Sequence, residues 1–296
     1  MRTIIPTKTD TIQTQFMAIR DELTESGIDD PHIEAEVLIR HVLGLSRSQY
    51  FSTLMSSIAP GNVEVLNQLV ASRLTGEPLA YITGTREFYG LDIAVNRDVL
   101  IPRQETELLV DLALEYIGSH SVEGSQPVTT VADVCTGSGA IGVAIAVNAE
   151  NIRIDATDIS GPALEVAERN VRARNVGEEV SIIESDLMAD TPGPYDLIVC
   201  NPPYIPTEML DGLAIEVRNE PAIALDGGPG GLRFLRRLLA QSSVALRRQG
   251  ALLVELMPDQ IETAIDLAEK KFPCAKVGYS ADLAGNPRAL TVYQEA

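Results

Sequence analysis

Tyr195-Asp196-Leu197-Ile198-Val199-Cys200-Asn201-Pro202-Pro203-Tyr204 is an apolar run that ends abruptly in turn residues. A short run bounded in this way reads as a buried strand, which leaves the last four residues at its carboxyl end. In open α/β sheets that end is where ligands bind. Each proline fixes its own φ and drives the residue before it out of the α region. Asn201 and Pro202 are therefore both held extended, and neither Pro202 nor Pro203 has an N–H to offer. What remains is a stiff edge of acceptors, the Asn201 side-chain oxygen and the Pro202 carbonyl, beside the flat face of Tyr204. Such an edge suits a planar group with an NH2 to donate: a carboxamide, or the exocyclic amine of adenine.

Around this strand the patterns alternate. Strands are predicted over 128–134, 152–157, 180–184, 195–200, 251–255, 275–279 and 290–294, and helices over 140–149, 162–175, 232–248 and 259–271. Strands alternating with helices imply an α/β fold with a mostly parallel, doubly wound, seven-stranded sheet. The amino-terminal part is different. Phe16, Ile19 and Leu23, then Ile33, Val37, Leu38 and Val42, then Val63, Leu66, Leu69 and Val70 recur at helical spacing. Gly27 and Gly44 fit helix stops, and Asp30-Pro31 fits a helix start. The expected organisation is a small all-helical domain over 1–80, a hairpin around Gly90 with a linker helix over 81–127, and the α/β domain over 128–296.

Composition bounds the function. With 296 residues, 45% of them hydrophobic, the chain can bury a sizeable core. No stretch approaches the ~18 consecutive apolar residues of a membrane span. Met1 to Asp10 has no apolar signal-peptide core, so a cytoplasmic location is the expectation. Cys135, Cys200 and Cys274 lie far apart, without metal spacing, and Cys135 and Cys200, at strand ends, read as small buried hydrophobes rather than nucleophiles. His32, His41 and His120 are scattered and read as structural or surface residues, and no metal site is expected. Against 23 basic residues stand 42 acidic ones, a net charge of −19. Nucleic-acid binding draws on phosphate neutralisation by Lys and Arg, so direct nucleic-acid binding is not expected. A basic protein partner suits this charge better.

Asp133-Val134-Cys135-Thr136-Gly137-Ser138-Gly139-Ala140-Ile141-Gly142 falls at a strand-to-helix junction, with Asp158 about 20 residues on at the end of the next strand. As a dinucleotide fingerprint, this loop holds a pyrophosphate and the acid takes a ribose hydroxyl. As an S-adenosylmethionine loop, the same glycines admit the methionine and ribose portions. The loop by itself does not choose. The Asn-Pro-Pro-Tyr edge does, because hydride transfer has no use for a rigid amide-accepting edge beside the switch point of the sheet. A methyltransferase is the reading favoured.

Further wording narrows it. Glu87-Phe88-Tyr89-Gly90-Leu91, Leu100-Ile101-Pro102-Arg103, Glu105-Thr106-Glu107, Asp158-Ile159-Ser160, Glu220-Pro221, Gly227-Gly228 and Arg288 accompany the loop and the proline edge. From about Gly76 onward the chain resembles the release-factor glutamine methyltransferases, class I S-adenosylmethionine-dependent enzymes with a Rossmann-like sheet. It departs from their pattern at Gln104, Gly230 and Met257. The resemblance implies S-adenosyl-L-methionine as cofactor, with S-adenosyl-L-homocysteine as product. It implies that Thr136, Gly137, Ser138, Gly139, Ala140, Asp158, Asp186, Leu187 and Asn201 touch that cofactor. It implies that Asn201, Pro202, Pro203 and Tyr204 receive the glutamine of a Gly-Gly-Gln loop in peptide chain release factors. It also makes the amino-terminal helices a release-factor docking domain. Asn201, Pro202 and Tyr204 are the expected catalytic residues, with no general base assigned. Arg103 and Glu107 are expected either to approach the cofactor or to hold the linker. Glutamine methylation of a ribosomal protein and adenine-N6 methylation of nucleic acid are the rival activities.

Overall fold

The computed structural model describes residues 11–119 and 128–295. His120 and most of the Ser/Gly-rich stretch 118–127 therefore lie outside the described residues. The chain divides into two units, Met1–Gly84 with Ile215–Asn219, and Thr85–Ala214 with Glu220–Ala296.

The first unit is helical: α1 (Ile12–Glu25), α2 (Pro31–Leu43), α3 (Arg47–Ser52), α4 (Pro60–Leu74) and α5 (Leu79–Thr83). Thr11 and Ser46 cap α1 and α3 through reciprocal capping boxes, which satisfy amides that have no intrahelical partner. Gly44 closes α2 in the left-handed conformation that glycine adopts without strain. Ile19, Leu23, Leu38, Ile39, Val63, Leu66 and Val70 form the core. Ile33, expected on the inner face of α2, is instead 56% exposed, because Ala35, Leu38 and Ile39 carry that face. Residues 215–219 complete this unit. Arg73, only 1% exposed, pairs with Glu34 at 2.6 Å and with Glu216 at 2.5 Å. Asn219 Nδ2 donates to the Gly76 carbonyl at 2.8 Å.

The second unit begins with the hairpin β1 (Thr85–Phe88) and β2 (Leu91–Ala94). Its turn residues Tyr89 and Gly90 both have positive φ, as a two-residue hairpin turn of this hand requires. Then come α6 (Glu107–Ser119), β3 (Thr129–Val134), α7 (Ala140–Asn148), β4 (Ile152–Asp158), α8 (Gly161–Arg174), β5 (Val180–Glu184) and β6 (Tyr195–Cys200). After the short helix α9 (Ile215–Arg218), which belongs to the first unit, the second unit continues with α10 (Ala222–Leu225), α11 (Arg233–Ala245), β7 (Leu246–Glu255), α12 (Ile261–Lys271), β8 (Ala275–Ala281) and β9 (Pro287–Gln294). The seven strands lie in the order β5-β4-β3-β6-β7-β9-β8. All neighbours are parallel except β9, which runs antiparallel to both β7 and β8. The chain winds outward from β3 to β5 and then returns to lay β6 on the other side of β3. The switch point is therefore at the carboxyl ends of β3 and β6, where a crevice opens between loops that diverge.

The last strand begins at Pro287 rather than 290, and the largest departure from the sequence reading is at β7. The helix expected to run to residue 248 stops at Ala245, and β7 starts at Leu246 rather than 251. Tyr195 pairs with Leu246 and Leu197 with Ala251, so residues 247–250 bulge out of the ladder. Gln249 takes a positive φ there. The bulge is held by Arg247, whose Nη1 donates to Asp196 at 2.6 Å and to Thr130 Oγ1 at 3.0 Å. Helix-favouring residues at 246–248 masked this tertiary tie.

Candidate active site

Asp133, fully buried near the end of β3, organises the glycine loop. Its Oδ2 accepts from Thr136 Oγ1 at 2.6 Å and from the Gly142 amide at 2.9 Å. Two donors on one oxygen bend the loop back over the strand and point the first turn of α7 at the crevice. Burial pushes the Asp133 carboxyl up to about 6, against the pull of those two donors. Oδ1 is buried without a partner among the described residues, so a proton, when taken up, belongs there.

Asp158 stands opposite, at the end of β4. Oδ2 accepts the Gly137 amide at 2.9 Å and Oδ1 the Ser160 amide at 3.0 Å. Each oxygen keeps a further lone pair for a ligand. Burial raises this carboxyl too, and the backbone donors act against the rise. Asn170, in α8, ties the loop to the hairpin: Nδ2 donates to Ser138 O at 2.8 Å and to Ala94 O at 3.0 Å, while Oδ1 accepts the Ala94 amide at 2.8 Å.

At the end of β6, Asn201 Nδ2 donates to Thr106 Oγ1 at 3.2 Å, which spends the donor end of the amide on the protein. The Tyr204 hydroxyl donates to Glu255 Oε1 at 3.1 Å. The Tyr204 carbonyl accepts from Gln260 Nε2 at 2.8 Å. The edge also rests on a glycine turn. An added Cβ at Gly227 would meet the Pro203 carbonyl at 2.8 Å, and one at Gly231 would collide with the Tyr204 carbonyl.

Between these pieces lies a cavity of about 330 Å3, in the size range of small-molecule sites. Thr136, Gly137, Ser138, Ala140, Asp158, Asp186, Leu187, Asn201 and Pro203 all line it. Gly139, Pro202 and Tyr204 are outside that lining. Gly139 instead serves packing, since an added Cβ would press on Ala167 at 3.2 Å. Leu187 is buried with φ at 57°, and its carbonyl accepts from Thr157 Oγ1 at 2.9 Å. Asp186 Oδ2 is held by Arg237 at 2.6 Å. Cys135 lines the cavity and Cys200 is buried beneath it, where burial pushes the Cys200 thiol up.

Arg103 and Glu107 hold the linker. Arg103 pairs with the buried Glu220, whose Oε2 accepts the Ile101 amide at 2.9 Å. Glu107 accepts the Tyr89 amide at 2.8 Å. Neither lines the cavity. Asn170, Phe234 and Arg237 escaped the sequence reading, and Thr106 was quoted there in Glu105-Thr106-Glu107 without its tie to Asn201; an asparagine on the apolar face of a helix was the one local signal among the three. Among the described residues, no group of His, Cys, Asp or Glu is placed to hold a metal ion, and no helix is long and apolar enough to cross a membrane.

Two family models match the chain, one described as the PrmC N-terminal domain over residues 16–84 and one as the methyltransferase small domain over residues 119–216. A Moorella thermoacetica protein named release factor glutamine methyltransferase is 38% identical over 273 residues, 92% of this chain and 94% of its own. One of the same name from Bordetella pertussis is 38% identical over 272 residues, 91% of this chain and 97% of its own. A solved structure described as human methyltransferase 10 domain containing protein superposes with a TM-score of 0.51 at 19% identity, over 71% of this chain and 90% of that one, a likeness of fold. With the expected sheet, the loop and the proline edge in place, and relatives this similar over nearly the whole length, the chain belongs to the release factor glutamine methyltransferase family.

Proposed function

We propose that the protein transfers a methyl group from S-adenosyl-L-methionine to the side-chain amide nitrogen of the glutamine in the Gly-Gly-Gln motif of peptide chain release factors, in the cytoplasm. The observation that carries this reading is the orientation of Asn201. Its NH2 is given to Thr106, so Oδ1 is the end left to accept an NH2 from a substrate, beside the glycine loop in one cavity.

The residues present fit the cofactor. The loop gives backbone approach at Gly137, where an added Cβ would meet no atom within 4 Å, and Asp158 offers free lone pairs to ribose hydroxyls. Leu187 gives an apolar wall for the adenine, and Asp186 an acceptor for its amine. When bound, the cofactor supplies an electrophilic methyl on a sulfonium.

The protein's part is positioning. An amide nitrogen is a weak nucleophile because its lone pair is delocalised into the carbonyl. Asn201 Oδ1, in the cavity lining, accepts one N–H of the amide, and the Pro202 carbonyl, just beyond that lining, is the acceptor assigned to the other, which fixes the nitrogen and favours its rehybridisation. Pro203 packs on the amide plane, and Tyr204, anchored on Glu255, keeps the edge from turning. Orientation of this kind supplies several kcal/mol of a barrier. No base is required, because the proton becomes acidic only once the nitrogen carries the methyl and then leaves to water. The test is to incubate purified release factor with the protein and labelled cofactor, then locate the label by peptide mass. The expected result is one added methylene on the glutamine of Gly-Gly-Gln. Label elsewhere, or on RNA alone, would overturn it.

A further inference from the structure

The turn that follows β5 carries a leucine in a conformation that leucine avoids. Leu187 has φ at 57°, in the left-handed region, where a bulky residue stays only when its surroundings hold it. Two elements hold this turn. From β4, Thr157 Oγ1 donates to the Leu187 carbonyl at 2.9 Å. From α11 come two side chains four residues apart, and therefore on one face of the helix. Arg237 Nη2 donates to Asp186 Oδ2 at 2.6 Å, and Gln241 Oε1 accepts the Met188 amide at 3.0 Å. The three bonds fall on consecutive residues, and Asp186, Leu187 and Arg237 all line the cavity.

The ties differ in what they fix. Thr157 and Gln241 bind the main chain and so set the path of the turn. Arg237 binds a side-chain oxygen and so sets a rotamer. Asp186 Oδ1 takes no hydrogen bond from the described residues and is the oxygen left for a ligand. The two side chains are 43% and 45% exposed, so their charge attraction is screened, and the geometry of the bond is what Arg237 contributes. We propose that Arg237 is a positioning residue for the base of the cofactor: by holding Oδ2 it fixes Oδ1 as the acceptor, and so makes the site select a purine with an amino group at C6 over one with an oxo group there. The proposal rests on the reading that S-adenosyl-L-methionine binds with its adenine against Leu187, and adds the residue that enforces the choice of base.

A carboxylate oxygen accepts and does not donate, so it takes the adenine amine and repels an oxo group. Hypoxanthine, the 6-oxo base, carries an N–H at the neighbouring N1. A freed Asp186 would turn to accept that N–H, and a held one would not. Selectivity is therefore what Arg237 controls.

The test is calorimetric titration of the whole protein with S-adenosyl-L-homocysteine and with S-inosyl-L-homocysteine, which differ only in the base. The wild type should bind the adenosyl compound about tenfold or more tightly. Arg237→Met, which keeps an apolar stem and deletes the donor, should raise Kd for the adenosyl compound by about threefold to tenfold without raising that for the inosyl compound. Arg237→Lys returns a donor and should recover part of the ratio. Gln241→Met should weaken both ligands by one factor, since it loosens the main chain on which both bases rest. A wild-type ratio in Arg237→Met overturns the proposal, as does equal weakening of both ligands in that variant or a lysine variant that recovers none of the ratio. Should the wild type bind neither compound, the cofactor reading fails and takes the proposal with it. Should it bind the adenosyl compound with a ratio indifferent to residue 237, the proposal alone falls.

Discussion

Asp133 Oδ2 lies where a side chain at Gly142 would begin: it accepts the Gly142 amide at 2.9 Å, and an added Cβ at 142 would stand 2.9 Å from the same oxygen. The last glycine of the loop thus makes room for a carboxylate of its own chain. Gly142→Ala should push Asp133 off the loop and destabilise the protein by about 1–3 kcal/mol, the usual cost of overpacking. Chemical denaturation would register this as a lower midpoint at constant slope. Cofactor affinity should fall with it, measured by calorimetry.

Asp133 also makes stability depend on pH. Its carboxyl is raised from 3.8 to about 6 in the folded protein, so the folded state binds the proton more tightly than the unfolded one. That contribution is present at low pH and is lost as the pH rises from about 4 to 6, by roughly 3 kcal/mol in all. Asp133→Asn removes the titrating group and keeps an acceptor. The stability of the variant relative to wild type should therefore rise across that window and be flat above it. A difference constant from pH 4 to 7 would contradict the assignment.

Asp158→Ala removes both the anchor of the Gly137 amide and the acceptor aimed into the cavity. A hydrogen bond to a charged group is worth about 1.5–3 kcal/mol, so cofactor Kd should rise by about tenfold to a hundredfold. Calorimetric titration is the measurement, and undiminished binding would refute the ribose role.

Asn201→Ala should separate chemistry from binding. It removes the proposed acceptor for the substrate amide and leaves the loop and Asp158 untouched. The kcat for methyl transfer should fall by about tenfold or more, the cost of an unmatched buried amide, with cofactor affinity largely kept.

Gly231 has φ at 73°, and an added Cβ there would collide with the Tyr204 carbonyl and with Gln260. Gly231→Ala should shift the proline edge, lower kcat and leave cofactor Kd unaltered, since Gly231 is not in the cavity lining. Equal loss of both would show that the turn supports the whole crevice.

The elements readable from sequence are those with local causes. The period of β3 to β6, the glycines at 137 and 139 and the paired prolines at 202 and 203 each constrain the backbone within a few residues, so the sheet, the loop and the stiff edge were all legible. The boundary at Leu246 was not, because the bulge of β7 depends on Arg247 finding Asp196, 51 residues away. Nor did sequence show that Gly139 packs on Ala167, or that Tyr204 turns its hydroxyl to Glu255.

By itself, then, the sequence determined the class of sheet, the place of the crevice and the residue types on its two sides, since these follow from side-chain period and from restricted φ. Only the tertiary structure decided which way the Asn201 amide faces and what seats the loop. Those depend on Thr106, 95 residues from Asn201, and on Asn170, 76 residues from Ala94. Contacts of that span exist only once the sheet has closed, and no local pattern in the chain encodes them.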